Sequence, residues 1–437
     1  MTKHGKKSKP CLYIFFLVIL FICFSFSTGG QEILAAGEGE ENLLQLQGYL
    51  LRSIEWSKEN NGLESSVADW YAIGIGRTGR EEREEYRKIL QKNITTLFAD
   101  EKKWNDLLPT DFSRMVLVMK TFGENPLAIK GENTKSAINL IKKNPVYTSD
   151  MSENLPANQY IWSLISLNAA TANERTKEAD RLIEKIFTYQ NNDGSFGIGK
   201  SGASVDITGM VLQAFSPFYQ SDRTMKEKLD KTLSWLSDCQ KEKGDFSESG
   251  EQREGTLEST VQVMIGLCSL DINPARDKRF VKNSYTLVDG FLQYRTGDGS
   301  FAHTVEEKDN RINVTGEGNE MATSQAICAM TALYRYSTGQ NALYDFSGEN
   351  TEDEKDIFQI TDVKKPLILQ EDFTQDSSTM KEGEDSDKDV QNRILYEEGQ
   401  KKRIRMIWIL AGICGLLIGT VYVVCRNKKK KEKDNGK

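Results

Sequence analysis

The sequence predicts an all-α fold: an α6/α6 toroid in which six helix hairpins close into a ring, followed by a C-terminal transmembrane helix. Three observations carry that prediction. From about Asn42 to Phe346 apolar residues recur at helical spacing, and no run alternates convincingly as a strand would. Within that span amphipathic segments alternate with nearly all-apolar ones, six times over. A turn phrase also returns, as "TYQNNDGSFG" at Thr188–Gly197, "SDCQKEKGDFS" around Gly244 and "LQYRTGDGSFA" around Gly299, with its glycines 50 and 55 residues apart. A recurrence of that size marks stacked units that share one core.

The elements follow in order. The amphipathic segments run over about Leu43–Ser57, Glu82–Phe98, Asn133–Lys142, Glu174–Gln190, Met225–Gln240 and Arg279–Tyr294. Their apolar successors run over about Ser66–Arg77, Asp111–Phe122, Asn158–Leu167, Asp206–Phe215, Glu258–Leu270 and Met321–Tyr334. A helix that is apolar on most sides must sit inside, shielded by its amphipathic partner, so the hairpins form two concentric layers. Gly194, Gly244 and Gly299 end outer helices through backbone angles that a side chain disfavours, and Phe196, Phe246 and Phe301 plug the gap before the next inner helix.

The flanks of the ring, which is assigned to residues 38–346, are read from charge and hydropathy. Lys3, Lys6, Lys7 and Lys9 precede an apolar run from Cys11 to Phe26 and then small residues, the pattern of a secretory signal peptide over residues 1–36. Residues 347–402 are acidic and poor in aromatics, which predicts a self-repelling, extended stalk. Met406–Cys425 is 20 residues without a charge, long enough at about 1.5 Å per residue to cross a hydrocarbon core. The basic residues 426–437 behind it predict a short cytoplasmic tail. The expected protein leaves the cell through the Sec pathway and stays anchored in the membrane by one helix, ectodomain outside. Four of the cysteines fall in the leader and the span, and the remaining Cys239, Cys268 and Cys328 sit at apolar positions, as buried thiols do. With a net charge of −7 and its lysines gathered at the termini, the chain lacks the basic face that a nucleic-acid partner needs.

A Gln, a Gly and then an aromatic at each outer-to-inner turn resembles the QW repeat of squalene and hopene cyclases, with Phe in place of Trp. More broadly, "DWYAIGIGRTG", "TDFSRMVLVMKTFGENP", "SVDITGMVLQAF" and "NEMATSQAICAMTALYRYSTGQNALYDF" look like bacterial surface proteins of the prenyltransferase/squalene-oxidase-repeat superfamily. That superfamily is related to cobalamin carriers of the transcobalamin type. The resemblance implies the toroid; its members include enzymes, carriers and thioester domains, so it does not by itself imply a reaction.

Candidate site residues come from stacking the inner helices. Asp69, Asp111, Gln159, Asp206, Glu258 and Met321 recur near the helix starts, with Thr208, Thr260 and Thr323 two residues behind the last three. Such positions often serve as N-caps, where acids also suit the helix dipole. As a set, with Trp70 and Tyr160 beside them and Arg114, Gln262 and Gln325 one turn further in, they predict a polar ring around one mouth of the toroid, a concave place for a ligand.

Chemistry is less well provided for. The Asp-x-Asp-Asp motif of the cyclases is matched by Ser204-Val205-Asp206-Ile207, in which one acid survives without neighbours in sequence. There is no DDxxD cluster for a diphosphate-bound magnesium ion. His303 has no cysteine at zinc-ligand spacing, and "GEGNEM" at Gly316–Met321 echoes the complement-type thioester motif without its reactive cysteine. The expectation is a non-catalytic, membrane-anchored binder of a small molecule such as a corrinoid, or of a peptide or glycan, with no resident metal or cofactor. The alternatives are a terpene cyclase or prenyltransferase-like enzyme with Asp206 as its acid, and a purely structural spacer or adhesin.

Overall fold

A computed structural model describes residues 39–60, 66–79, 82–98, 100, 103–104, 106–130, 137–148, 155–249, 254–308, 311–314, 318–348, 356–360, 362–367 and 369. All belong to the first of two compact units, Met1–Phe373 and Thr374–Lys437. The expected signal peptide, membrane span and basic tail lie outside the described residues, among which no helix is long and apolar enough to cross a membrane.

The described chain is mainly helical: α1 (39–60), α2 (Ser66–Gly76), α3 (Glu82–Phe98), α4 (Pro109–Thr121), α5 (Leu140–Lys143), α6 (Pro145–Thr148), α7 (Ala157–Ala170), α8 (Lys177–Phe187), α9 (Val205–Tyr219), α10 (Arg223–Cys239), α11 (Leu257–Ser269), α12 (Leu287–Leu292) and α13 (Glu320–Ser337). The apolar helices α2, α4, α7, α9, α11 and α13 pack each on the next, and α13 returns to α2, so the inner layer closes on itself. Their amphipathic partners α3, α8, α10 and α12 lie against α2, α7, α9 and α11. The inner helices approach closely where side chains shrink. A Cβ on Gly209 would stand 2.8 Å from the backbone of Gln262, and one on Gly266 would stand 2.9 Å from Gly209 O, so α9 and α11 meet backbone to backbone.

The recurring turn explains itself in the same terms. Gly194, Gly244 and Gly299 have φ of 97°, 89° and 94°, the left-handed region open to glycine. Each also abuts the next outer helix: added Cβ atoms would lie 2.9 Å from Lys231 in α10, 2.1 Å from Thr286 O at the start of α12 and 2.9 Å from Arg52 in α1. The hydroxyls of Thr232 and Ser53 donate to the carbonyls of Gly194 (2.8 Å) and Gly299 (2.7 Å). The third of these contacts brings α1 against the last hairpin, and so closes the outer layer as α13 closes the inner one.

Four expectations need correction. The outer helix expected over Asn133–Lys142 is replaced, in its described part, by an Ile129–Ile138 bridge and the one-turn α5: Ile138 is extended against Ile129, Asn139 caps a fresh helix start by accepting Lys142 N, and Pro145 biases Asn144 to the extended conformation that ends it. The helix expected over Arg279–Tyr294 starts only at α12. Before it, β1 (Val281–Lys282) and β2 (Tyr285–Thr286) pair across Asn283 and Ser284, both at positive φ, as a two-residue hairpin turn requires. Thr286 and Asp289 then exchange capping bonds that begin the helix afresh. A second hairpin, β3 (Val305–Lys308) with β4 (Arg311–Val314), stands where no strand was expected.

The fourth correction concerns the boundary at Phe346. Beyond it, Ile357, Leu367 and Leu369 are buried. Ile357 N donates to Thr78 O (2.8 Å), Lys364 N and Lys365 N to Ser337 O (2.9 and 3.0 Å), and Asn42 Nδ2 to Leu367 O (2.9 Å). The folded body therefore continues to residue 369, and the rest of the acidic stretch lies outside the described residues.

Gly244→Ala is expected to destabilise the ring by at least about 1–3 kcal/mol, since strain and overlap act together. Gly202→Ala, at φ 88° but with nothing within 4 Å of its Cβ, should lose only about 1 kcal/mol. Urea unfolding of both variants compares them; equal losses would mean that the turn does not press on α12.

Candidate binding site at the mouth of the ring

The starts of α7, α9 and α11 are each stitched to the hairpin that follows. The first N–H of α7, α9 and α11 is accepted by a carbonyl in the turn of the following hairpin: Ala157 N to Ile198 O (2.8 Å), Val205 N to Glu248 O (2.8 Å) and Leu257 N to His303 O (3.0 Å). Helix starts have spare amide donors, and here the neighbouring unit satisfies one of them at each of these three helices.

On the α2/α4 side, Arg114 Nε reaches Asp69 Oδ2 at 2.7 Å and its Nη2 reaches Asp111 Oδ1 at 3.1 Å. Tyr86 donates its hydroxyl to the other oxygen of Asp69, and Asp111 also accepts Leu108 N at 2.9 Å, closing the first turn of α4. Asp69, Asp111 and Arg114 thus form a braced, half-buried ion triad. Burial, followed by the Asp69 carboxylate, pushes the Tyr86 hydroxyl far above the usual tyrosine range, so it stays a donor.

The α9/α11 side holds the second polar group. Ser259 Oγ donates to Asp206 Oδ1 at 2.5 Å, and His303 Nδ1 lies 2.6 Å from Glu258 Oε2. Burial raises the Asp206 carboxyl to about 6; the Ser259 bond opposes this, while the Glu248 and Glu258 carboxylates add to it. The acid that stands alone in sequence therefore has acidic neighbours after all, supplied by the next hairpin. Deeper in, Gln213 Nε2 donates to Gln262 O (3.0 Å) and Oε1 (2.8 Å), and Gln262 Nε2 to Gln325 Oε1 (3.3 Å), an amide ladder across α9, α11 and α13. Gln213 was not among the predicted residues, although it lies on the same apolar helix as Asp206.

Several predicted residues serve the fold instead. Thr208, Thr260 and Thr323 are fully buried and accept the N–H of Phe196, Phe246 and Phe301 at 3.0, 3.1 and 2.9 Å. They anchor the repeated turn and do not face a ligand. Tyr160 points outward, its ring 6.0 Å from that of Tyr189, with Lys185 of α8 over its face. Gln159 sits half-buried in the first turn of α7. Trp70 of α2 meets Trp162 of α7 at 5.0 Å with the rings tilted by 52°, and Trp162 meets Tyr344 edge-on at 5.8 Å, so aromatic side chains from non-adjacent inner helices meet across the ring interior. A cavity of about 70 Å³ does open, but at the other ends of the inner helices, between Asn168, Gln213, Ser269, Tyr344 and Asp345. Three exposed large apolar side chains, Leu108, Ile198 and Met321, stand at the mouth.

A ring of helix hairpins with a polar, partly apolar mouth is the class of site defined here. Residues 148–270 match the family model of the A-macroglobulin TED domain. This covers α7 to α11, well under half of the chain. The chain is similar to a polysaccharide lyase (13% identity over 67% of this chain and 97% of that one, TM-score 0.43) and to a glycosyl hydrolase family 88 protein from Bacteroides vulgatus (13% identity, 68% and 99%, TM-score 0.44). No curated protein matches the chain. Within the matched span the thiols are Cys239 and Cys268; burial pushes Cys239 up to about 12 and Cys268 higher still. A thiol held neutral is a poor nucleophile near pH 7.

Asp206→Asn gives a signed test of the mouth. The folded-state carboxyl is raised from 3.8 to about 6, so ionisation opposes folding: the penalty is absent below pH 4, grows between pH 4 and 6 and is complete above. At about 1.36 kcal/mol per pKa unit it amounts to ~3 kcal/mol at most. The variant should be more stable than the parent at pH 7.5 by about 1–3 kcal/mol and equal to it at pH 4. Denaturation at the two pH values reads the difference, and an equal offset at both would show that Asp206 is not desolvated.

Proposed function

We propose that this protein is a cell-surface toroid, tethered to the membrane by its C-terminal helix with a short cytoplasmic tail, that binds a ligand at the ring mouth without altering it. One observation carries the reading: the mouth presents held polar groups beside exposed Leu108, Ile198 and Met321, while Trp70, Trp162 and Tyr344 fill the space behind. Carboxylates braced as Asp69 and Asp111 are by Arg114 require little reorganisation on binding, which favours affinity. A filled interior favours a peptide or glycan lying across the rim over a small molecule swallowed by the ring. A corrinoid, the small-molecule candidate, would have to settle on the same surface.

A second reading is supported by Asp206. A carboxyl poised at about 6, with Glu248 and Glu258 within electrostatic reach, has the protonation behaviour of a general acid, as a cyclase-like enzyme would use. Its hydrogen bond from Ser259 and the ion triad across the rim serve binding equally well.

The full chain in detergent micelles, offered peptide and glycan arrays and a corrinoid panel, separates the two. Binding at the mouth predicts saturable affinity for a member of these sets, weakened about tenfold by Met321→Asp or Ile198→Asp, as for loss of an interface anchor. Turnover of squalene or a prenyl diphosphate that disappears in Asp206→Asn would overturn the non-catalytic reading in favour of the enzyme.

A further inference from the structure

The segment after the last hairpin crosses the face opposite the mouth. Its short 3₁₀ turn, Ile357–Gln359, docks first: Ile357 is fully buried and bonded to Thr78 just past α2, and the Phe358 ring meets Tyr334 of α13 edge-on at 5.3 Å. Lys364 N and Lys365 N share Ser337 O at the end of α13, and Ser337 Oγ returns a bond to Lys365 O at 3.0 Å. The Lys365 ammonium pairs with Asp271 and lies 4.6 Å from the centre of the Tyr336 ring. Asn273 Nδ2 donates to Pro366 O at 3.2 Å, and Asn42 of α1 to Leu367 O. The segment thus touches the first hairpin, the loop after α11 and the last inner helix, spanning the seam where the ring closes.

Its attachment differs in kind from that of the ring. The inner helices are held by continuous backbone ladders and interlocked apolar faces, whereas this segment has no element longer than one 3₁₀ turn among its described residues. It is held by separate hydrogen bonds and by a few apolar anchors, Ile357, Leu367 and Leu369. Segments built that way open at lower free energy than the core they rest on. In chain order the segment lies between the ring and residues 370–437, so tension from that side would reach it before any helix of the ring.

We propose that the described residues between 356 and 369 are a detachable latch: they clamp the first hairpin to the last at the ring seam, and they peel off as a unit while the ring itself stays folded. This goes beyond ligand binding and does not depend on it.

Two cysteines make the proposal measurable. Cys268, 7% exposed, lies near the latch: burial raises its thiol, and the Lys365 ammonium is the next influence, pulling it down. Cys328, 3% exposed, is within α13, its Sγ donating to Trp70 O at 3.1 Å, and reports on the ring. In the full chain in detergent micelles, thiol labelling resolved by peptide mapping follows each cysteine separately. Ile357→Ser and Leu367→Ser, each removing one apolar anchor, should speed labelling of Cys268 about tenfold, the factor that corresponds to ~1.4 kcal/mol of lost docking, and leave Cys328 unchanged. Cys268 and Cys328 quickening together would show that the segment is part of one cooperative ring. No change at Cys268 in either variant would show that it covers nothing. Either result overturns the latch.

Discussion

The structure depends on one closure: α13 must come to rest on α2, although the two lie at opposite ends of the ring sequence. Every inner helix is too apolar to face water, and in an open array the first and last would each expose a side. The seam is accordingly reinforced. Gly74 lets the two backbones approach, with Ile327 and Cys328 of α13 in the space a Cβ would need. Two fully buried arginines complete it. Arg335 donates to Arg77 O at 3.0 Å and to Asn341 O at 2.8 Å, and Arg77 donates to the carbonyls of Ala342 and Asp345. Positive charge at helix C-termini is favourable, and here the side chains that carry it also tie the following loop across the joint. Tyr344, on that loop, extends inward to the tilted Trp70–Trp162 pair, so closing the seam and packing the interior are one event.

Much of this was legible in the sequence because it depends on periodicity. All six inner helices appear within a few residues of their expected bounds, and α3 coincides with its expected range. The elements that escaped are governed by local events that override periodicity. The Ile129–Ile138 bridge and the Asn139 cap shorten one outer helix, the Asn283–Ser284 turn replaces most of another, and β3–β4 pairs through a run too short and too charged to read as strands. The packing of Ile357 and Leu367 was hidden for a different reason: three or four apolar residues among acids look like a solvated tether unless a complementary seam is known to exist.

The site was legible as a location and less so as an assignment of roles. Stacking the helices by sequence aligned Asp69, Asp111, Asp206 and Glu258 at helix starts, with Arg114, Gln262 and Gln325 about a turn further along. It could not separate the threonines that hold a neighbouring turn from groups that face solvent, because both kinds recur with the same period. Nor could it foresee that Glu248 and Glu258, from another hairpin, would bear on Asp206. Long-range electrostatic partners of this sort leave no local signature.

The rim stitching restricts how such a chain can change. Three consecutive inner helices, α7, α9 and α11, give their first amides to the turn of the unit that follows, so the hairpins of α9 and α11 are each a donor to a successor and an acceptor for a predecessor. An insertion inside a turn would break two of these links, whereas a whole hairpin gained or lost would restore the chain of bonds but alter the circumference. The number of units is set by the angle each one subtends.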